Sequence, residues 1–153
     1  LMGCQTTLDN RENSLSAEQF DSLQIIREYL STEIASVGFG GQPYCAYETL
    51  EAEQIGEEVH VYLWVVCQEY YSQKQELLEG TGASLPVALI LEEKMNTFTI
   101  VSHRVPRDGS LYTQDLSAIF PENFRKKLQS ERTTEQNKRV RKLQNQIEQN
   151  VGR

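Results

Sequence analysis

The chain is poor in the residues that most often do chemistry. Its 153 residues include two histidines, three cysteines and one tryptophan. His60 and His103 stand alone, with no Cys or His at metal-ligand spacing from either, so no metal site and no cofactor are expected. No stretch approaches the roughly 18 apolar residues of a membrane-spanning helix. Positive charge is also scarce. Lys and Arg number 15 against 22 Asp and Glu, a net charge of −7. Most of the basic residues lie at one end: residues 125–153 hold nine Lys/Arg against three Asp/Glu. An acidic body with a basic tail excludes nucleic acid as the main partner, because a binding face needs clustered positive charge on the folded part. Such a tail suits an anionic surface or the body's own acidic face. The Gly-rich stretch "GFGGQP", residues 38–43, lacks the Lys-Ser/Thr of a phosphate loop and precedes a strand, so its expected role is to end a helix.

What remains has a clear order. Residues 1–15 are polar after the first four and read as a tether. Ser16 and Gln19 form a capping-box pattern. Phe20, Leu23, Ile26, Leu30, Ile34 and Val37 follow at steps of three and four, which predicts one helix of about five turns with a single apolar stripe. Four strand-like runs come next, over residues 44–52, 58–71, 84–93 and 97–106. The second is apolar on both alternating faces, which predicts a central strand covered on both sides. Short links make antiparallel neighbours of strands one and two and of strands three and four. The longer link 72–83 leaves room for strand extensions or a lid. Residues 106–128 suggest two short helices. Residues 133–150 suit a helix, and Val140, Leu143, Ile147 and Val151 give it only a thin stripe, so an exposed, frayed helix is expected. The expected organisation is a tether over 1–15, one α+β domain over 16–128, and a basic helical tail over 129–153.

One long helix followed by a four-stranded antiparallel meander resembles the cystatin-like and NTF2-like group of folds, over roughly residues 16–106. The single N-terminal helix favours the cystatin-like form, an α+β roll. The end of the domain, "DGSLY" followed by "IFP", is similar to the ends of small bacterial secreted proteins and lipoproteins. Leu1-Met2-Gly3-Cys4 resembles the lipobox of bacterial lipoproteins, with Met2 where Ser or Ala is more usual. That resemblance implies a signal peptide cut before Cys4 and a lipid on the Cys4 thiol. The partner would then be a membrane, and the location the outward-facing side of the cell envelope, periplasm or cell surface.

Cys45 and Cys67 fall on the first and second strands, equidistant from Gly56. A hairpin centred on Gly56 makes them direct neighbours, close enough for a disulfide in an oxidising compartment. The same two residues could instead remain small buried thiols, and a one-residue bulge near Gly56 would turn them to opposite faces. Glu48, Glu51, Glu53, Glu57 and Glu58 cluster around the first hairpin and read as a solvated tip. Glu48 and His103 are the only pieces that could serve as acid and base inside an NTF2-like pocket. The hairpins "EAEQIGEE" and "EEKMNT" do not match those of cystatin-type protease inhibitors. Tyr62, Trp64, Tyr70 and Tyr71 lie along the second strand; Trp64 suits a core, whereas Tyr70 and Tyr71 suit either core or surface. The expected function is therefore a non-catalytic binding or structural module for a protein, peptide or envelope component. A small enzyme with a pocket between helix and sheet, or an inhibitor-like module, is the alternative.

Overall fold

The computed structural model describes residues 16–152, so the lipobox-like residues, Cys4 and the tether lie outside the described residues. Four strands form one antiparallel sheet in the order β1-β2-β3-β4: β1 (Gln42–Ile55), β2 (Glu58–Gln73), β3 (Glu76–Lys94) and β4 (Thr97–Arg104). Around it lie α1 (Gln24–Tyr29), α2 (Tyr112–Ile119), α3 (Glu122–Ser130) and α4 (Thr133–Val151). No described helix is long and apolar enough to cross a membrane.

Each hairpin turns on two residues. Lys74-Gln75 and Met95-Asn96 both have two positive φ values, the type I′ pattern that matches strand twist. At Gly56-Glu57 only Gly56 has positive φ, at 64°. The tight turn at Lys74-Gln75 shows what the link 72–83 does: it lengthens β2 and β3 rather than forming a lid.

The expected long helix is broken. A 3₁₀ turn at Ala17–Phe20 gives way to α1, whose capping residue Leu23 is extended, and a π-helical turn at Leu30–Ile34 ends the segment. The break is held by the sheet. The Tyr47 hydroxyl accepts the Leu23 N–H at 3.1 Å and donates to the Phe20 carbonyl, and Asp21 Oδ1 accepts the Thr49 N–H at 2.7 Å. The backbone groups that a continuous helix would have paired internally are met by β1 instead. The stripe still does its work: Phe20, Ile26 and Leu30 are fully buried, while Val37 is exposed.

The sheet has a layer of helices on each face. Phe20, Ile26 and Leu30 pack on Val59, Val61, Leu63, Val65, Leu89 and Leu91. On the opposite face Phe120 and Phe124 pack on Leu50, Tyr62 and Ala88, and Leu143 and Ile147 pack on Ala46 and Val66. The apolar run of β2 is thus covered on both sides, as its sequence predicts. The helix at the basic end is not a frayed extension. Leu143 is 0% exposed and Ile147 1%. The thin stripe sufficed because the sheet already offered an apolar face for it. Burying such a side chain contributes roughly 1.5–3 kcal/mol.

Cys45 and Cys67 are disulfide-bonded, with Cα atoms 4.1 Å apart. The pairing is the expected one, but its origin differs. The turn lies at Gly56-Glu57, one half-step beyond Gly56, and a bulge between Thr49 and Glu51 compensates. Leu50 is the extra residue, and were it paired in a regular ladder Cys45 would oppose Gln68.

Candidate functional site

The space between the first helical segment and the sheet is filled by side chains. Beside it, Gln24, Arg27, Glu28, Ser31, Thr32 and Tyr44 line a shallow polar cleft, and a more apolar region lies on the other face. There α2, α3 and α4 leave a mostly apolar cleft of about 360 Å³. Trp64 of β2 forms its floor, Tyr112 and Leu116 come from α2, and Leu128 and Gln129 from α3. Gln136, Asn137, Arg139 and Val140 of α4 complete it. Trp64 points here because its strand neighbours alternate, with Leu63 and Val65 facing the N-terminal helix. The indole N–H donates to Ser84 Oγ at 2.9 Å, which carries the ring across β3. Apolar walls with a few carboxamides suit a neutral or apolar group.

Arg139 is the one charged group in this lining. It is 9% exposed and its guanidinium donates to both carboxylate oxygens of Glu131, with Nη1–Oε1 at 2.9 Å. Glu48 Oε2 lies 3.6 Å from Arg139 Nε, and Lys142 Nζ lies 3.1 Å from Glu48 Oε1. The bond to Glu131 outweighs burial and raises the Arg139 pKa further, so the residue remains a cation held in an ion cluster. This cluster ties α4 to β1, and it gives the basic end one of its expected partners, the acidic body. Sequence reasoning missed Arg139. Its signal was position: it lies one turn before Leu143 on the buried stripe.

A second missed residue is Glu69, which is 1% exposed. It continues the inward row Val61, Leu63, Val65 and Cys67. Its carboxylate accepts N–H groups from Phe39 at 3.0 Å, Gly41 at 2.7 Å and Thr81 at 3.0 Å. Burial opposes its charge, but the backbone bonds outweigh burial and hold its pKa below the ordinary value. The Gly-rich loop is therefore fastened to the sheet. Gly41 has no room for a Cβ against the Tyr70 backbone. The signal for Glu69 was a lone carboxylate on an apolar face, opposite Gly80 and Thr81.

The other sequence candidates scatter. Glu48 faces α4, whereas His103 lies on the opposite face of the sheet, paired with Leu89, where its Nδ1 meets the Tyr29 hydroxyl at 2.7 Å. The two cannot act as an acid–base pair. His60 Nε2 pairs with Glu58 Oε1 at 3.2 Å. Glu53 accepts the Tyr62 hydroxyl at 2.7 Å, and burial together with this carboxylate raises the Tyr62 pKa. Glu57 is exposed at the hairpin tip and Glu51 is half-buried, whereas Glu48, Glu53 and Glu58 of the same cluster are held by side-chain partners. Tyr70 packs against Tyr44 on the α4 face, whereas Tyr71 stacks on Phe39 with ring centroids 4.9 Å apart on the other. No protein-family model, curated protein or solved structure matches the chain.

Proposed function

We propose that this chain is a lipid-anchored protein of the bacterial cell envelope that acts by binding rather than by catalysis. The observation that carries the binding half is the distribution of space. The region where an NTF2-like pocket would lie is filled by fully buried Phe20, Ile26, Leu30, Leu63 and Leu89. The mostly apolar cleft is on the far face, and its one charged group is already held by Glu131 and Glu48. A cleft of apolar walls and carboxamides suits binding and orienting, and among the described residues its lining holds no carboxylate, histidine or thiol. A helical segment followed by a four-stranded antiparallel meander over residues 16–104 supports a cystatin-like reading of this α+β fold, to which the helices on the second face would be additions.

The envelope half rests on Leu1-Met2-Gly3-Cys4 and on the disulfide. A buried Cys45–Cys67 bond suits a compartment beyond the reducing cytoplasm. Lipidation of Cys4 would supply the anchor, and the polar residues after it would hold the domain off the bilayer. The test is membrane fractionation of the full-length protein with mass measurement of its N-terminal peptide. Wild type should partition with membranes and carry acyl mass on Cys4, and Cys4→Ser should be released or mislocalised. Unmodified protein free in the cytoplasm would overturn the anchor and the location together.

A further inference from the structure

The outer edge of β3 is long and largely unpaired. β3 has 19 residues and β4 has 8, and pairing runs only from Ala88–Arg104 to Lys94–Thr97. Continuing the Ala88–Arg104 register by two residues brings Pro86 opposite Pro106. Neither can donate an N–H, so the ladder stops there. Residues 76–85 consequently have no strand on their outer side among the described residues. An edge of this kind is usually blunted by lysine, proline or a cover. Here the exposed run Gly82-Ala83-Ser84 is small and uncharged, so another backbone can approach it closely. A bulge at Gly80-Thr81 interrupts the edge, and Gln68 and Glu69 already satisfy its backbone groups.

Three features lie on one face beside this edge. Trp64 pairs with Pro86, Val66 with Ser84, and Gln68 with Gly82, so Ser84 and Gly82 share the face of the cleft. The Trp64–Ser84 bond brings the cleft floor to the edge itself. Beyond the bulge, Glu79 pairs with Tyr70 on that same face, next to Glu148 of α4. Neither carboxylate has a cationic partner within 4 Å among the described residues. Both raise the Tyr70 pKa, after burial, which sets them close to its hydroxyl.

We infer that an extended basic peptide adds to the sheet as a fifth strand along Gly82–Leu85, seats one apolar side chain in the Trp64 cleft, and sets a Lys or Arg beside Glu79 and Glu148. Main-chain bonds to the edge give affinity. The alternating side chains on the cleft face give specificity. From Ser84 to Glu79 is five residues, roughly 15–17 Å of strand, so the basic residue lies four to six positions from the apolar one. Opposite charge at that end fixes the direction of the added strand. This inference rests on the reading of the chain as a binding module, and it names the partner.

Trp64 is the only tryptophan, so its fluorescence reports the cleft directly. A random decapeptide display library is selected on the immobilised full chain, and the enriched peptides are measured in solution by Trp64 emission. Enriched peptides should carry an apolar residue and a Lys or Arg at the stated spacing. N-methylation of alternate peptide amides should weaken binding at least tenfold. Glu79→Lys should reverse the preference toward peptides with Glu at the basic position. Circular dichroism confirms that this variant is folded. A selection without binders overturns the inference. So do peptides that bind equally when N-methylated, although such peptides leave the binding-module reading intact. A wild-type dimer dissociated by Ser84→Pro assigns the edge to a second copy and likewise overturns the peptide. If neither the peptides nor an apolar dye perturbs Trp64, the binding reading itself fails.

Discussion

Cys45 faces Cys67 because Leu50 is bulged out of β1 between them and the turn. The bulge corrects a register that the two-residue turn alone would set one residue out. Leu50 is itself 7% exposed and packs with Tyr62, Phe120 and Phe124, so the apolar layer on the second face holds the extra residue in place.

Deleting Leu50 should therefore leave the cysteines paired, because Thr49 opposite Leu63 then follows directly on Glu51 opposite Tyr62. Inserting one alanine between Glu53 and Gln54 should instead move Cys45 out of register, so alkylation of the denatured, unreduced protein should label neither Cys45 nor Cys67 in wild type and in the deletion, and both in the insertion. Opening the bond in the intact chain, as Cys45→Ala with Cys67→Ala, should cost about 3 kcal/mol at most, given the short enclosed loop. Urea unfolding of the double variant measures this directly. Unchanged stability would mean the bond only reports proximity.

Tyr47→Phe tests the helix break. The hydroxyl meets Leu23 N–H and the Phe20 carbonyl in a buried site, and its loss leaves both without that partner. We expect about 1–3 kcal/mol of destabilisation. Desolvation, partly offset by the backbone bond at Leu23, pushes the Tyr47 pKa up to about 12. The neutral hydroxyl is the form the fold favours. Its contribution is fully present below the ordinary value of about 10 and is lost as pH rises through about 12. Wild type should lose stability over that window more steeply than Tyr47→Phe.

Much of the fold was legible because periodicity survives whatever packs on it. The β2 run and the Phe20–Ile26–Leu30 stripe announced their faces directly. What was illegible came from distant parts of the chain. Nothing between Phe20 and Leu23 requires a break, since Tyr47 and Asp21–Thr49 create it from across the sheet. The face that covers Leu143 and Ile147 belongs to β1 and β2, so a thin stripe looked inadequate when read alone. The candidate cleft was less legible still. Trp64 could be assigned to a strand, but its walls come from α2, α3 and α4, whose arrangement no local pattern states. Arg139 and Glu69 were visible only as charges out of place on apolar rows.

Truncation after Leu128 should now be severe. It removes Leu143 and Ile147 from the core and uncovers Ala46 and Val66. Leu143→Ala and Ile147→Ala should each cost about 2–5 kcal/mol. Thermal melts of the two point variants against Gln146→Ala, at an exposed position of the same helix, provide the comparison. A loss confined to the truncation, with both point variants unchanged, would contradict the packing.

Asp115 should govern part of the acid limb. Arg107 donates to it from Nε at 2.8 Å and from Nη2 at 2.9 Å, and its own backbone N–H adds a third bond at 2.8 Å. These bonds, led by the side-chain pair, lower the Asp115 pKa to about 2. The contribution is present above the ordinary value of about 3.9 and disappears as pH falls through about 2. Asp115→Asn should flatten the wild-type dependence of the urea midpoint in that interval. Parallel curves for the two proteins would remove Asp115 from the account.

Glu69 makes the most local prediction. Its carboxylate accepts N–H groups from Phe39, Gly41 and Thr81, and a carboxylate is the side chain able to accept all three at once. Glu69→Gln keeps the shape but replaces one acceptor oxygen with an NH₂ group, which turns donors toward donors. Glu69→Ala removes every acceptor. Hydrogen exchange should therefore accelerate at the amides of Phe39, Gly41 and Thr81 in both variants, most in Glu69→Ala, while Leu63 and Leu89 in the middle of the sheet remain protected. The pH dependence has a definite sign. Because the folded pKa is lowered, the loop is held fully above the ordinary carboxylate value of about 4.3 and released as pH falls through the lower folded value. Wild type at low pH should then reproduce the exchange pattern that Glu69→Gln shows at neutral pH. Equal protection of the three amides in wild type and Glu69→Gln would mean that the loop is held by its own packing, with Phe39 on Tyr71 as the first place to look.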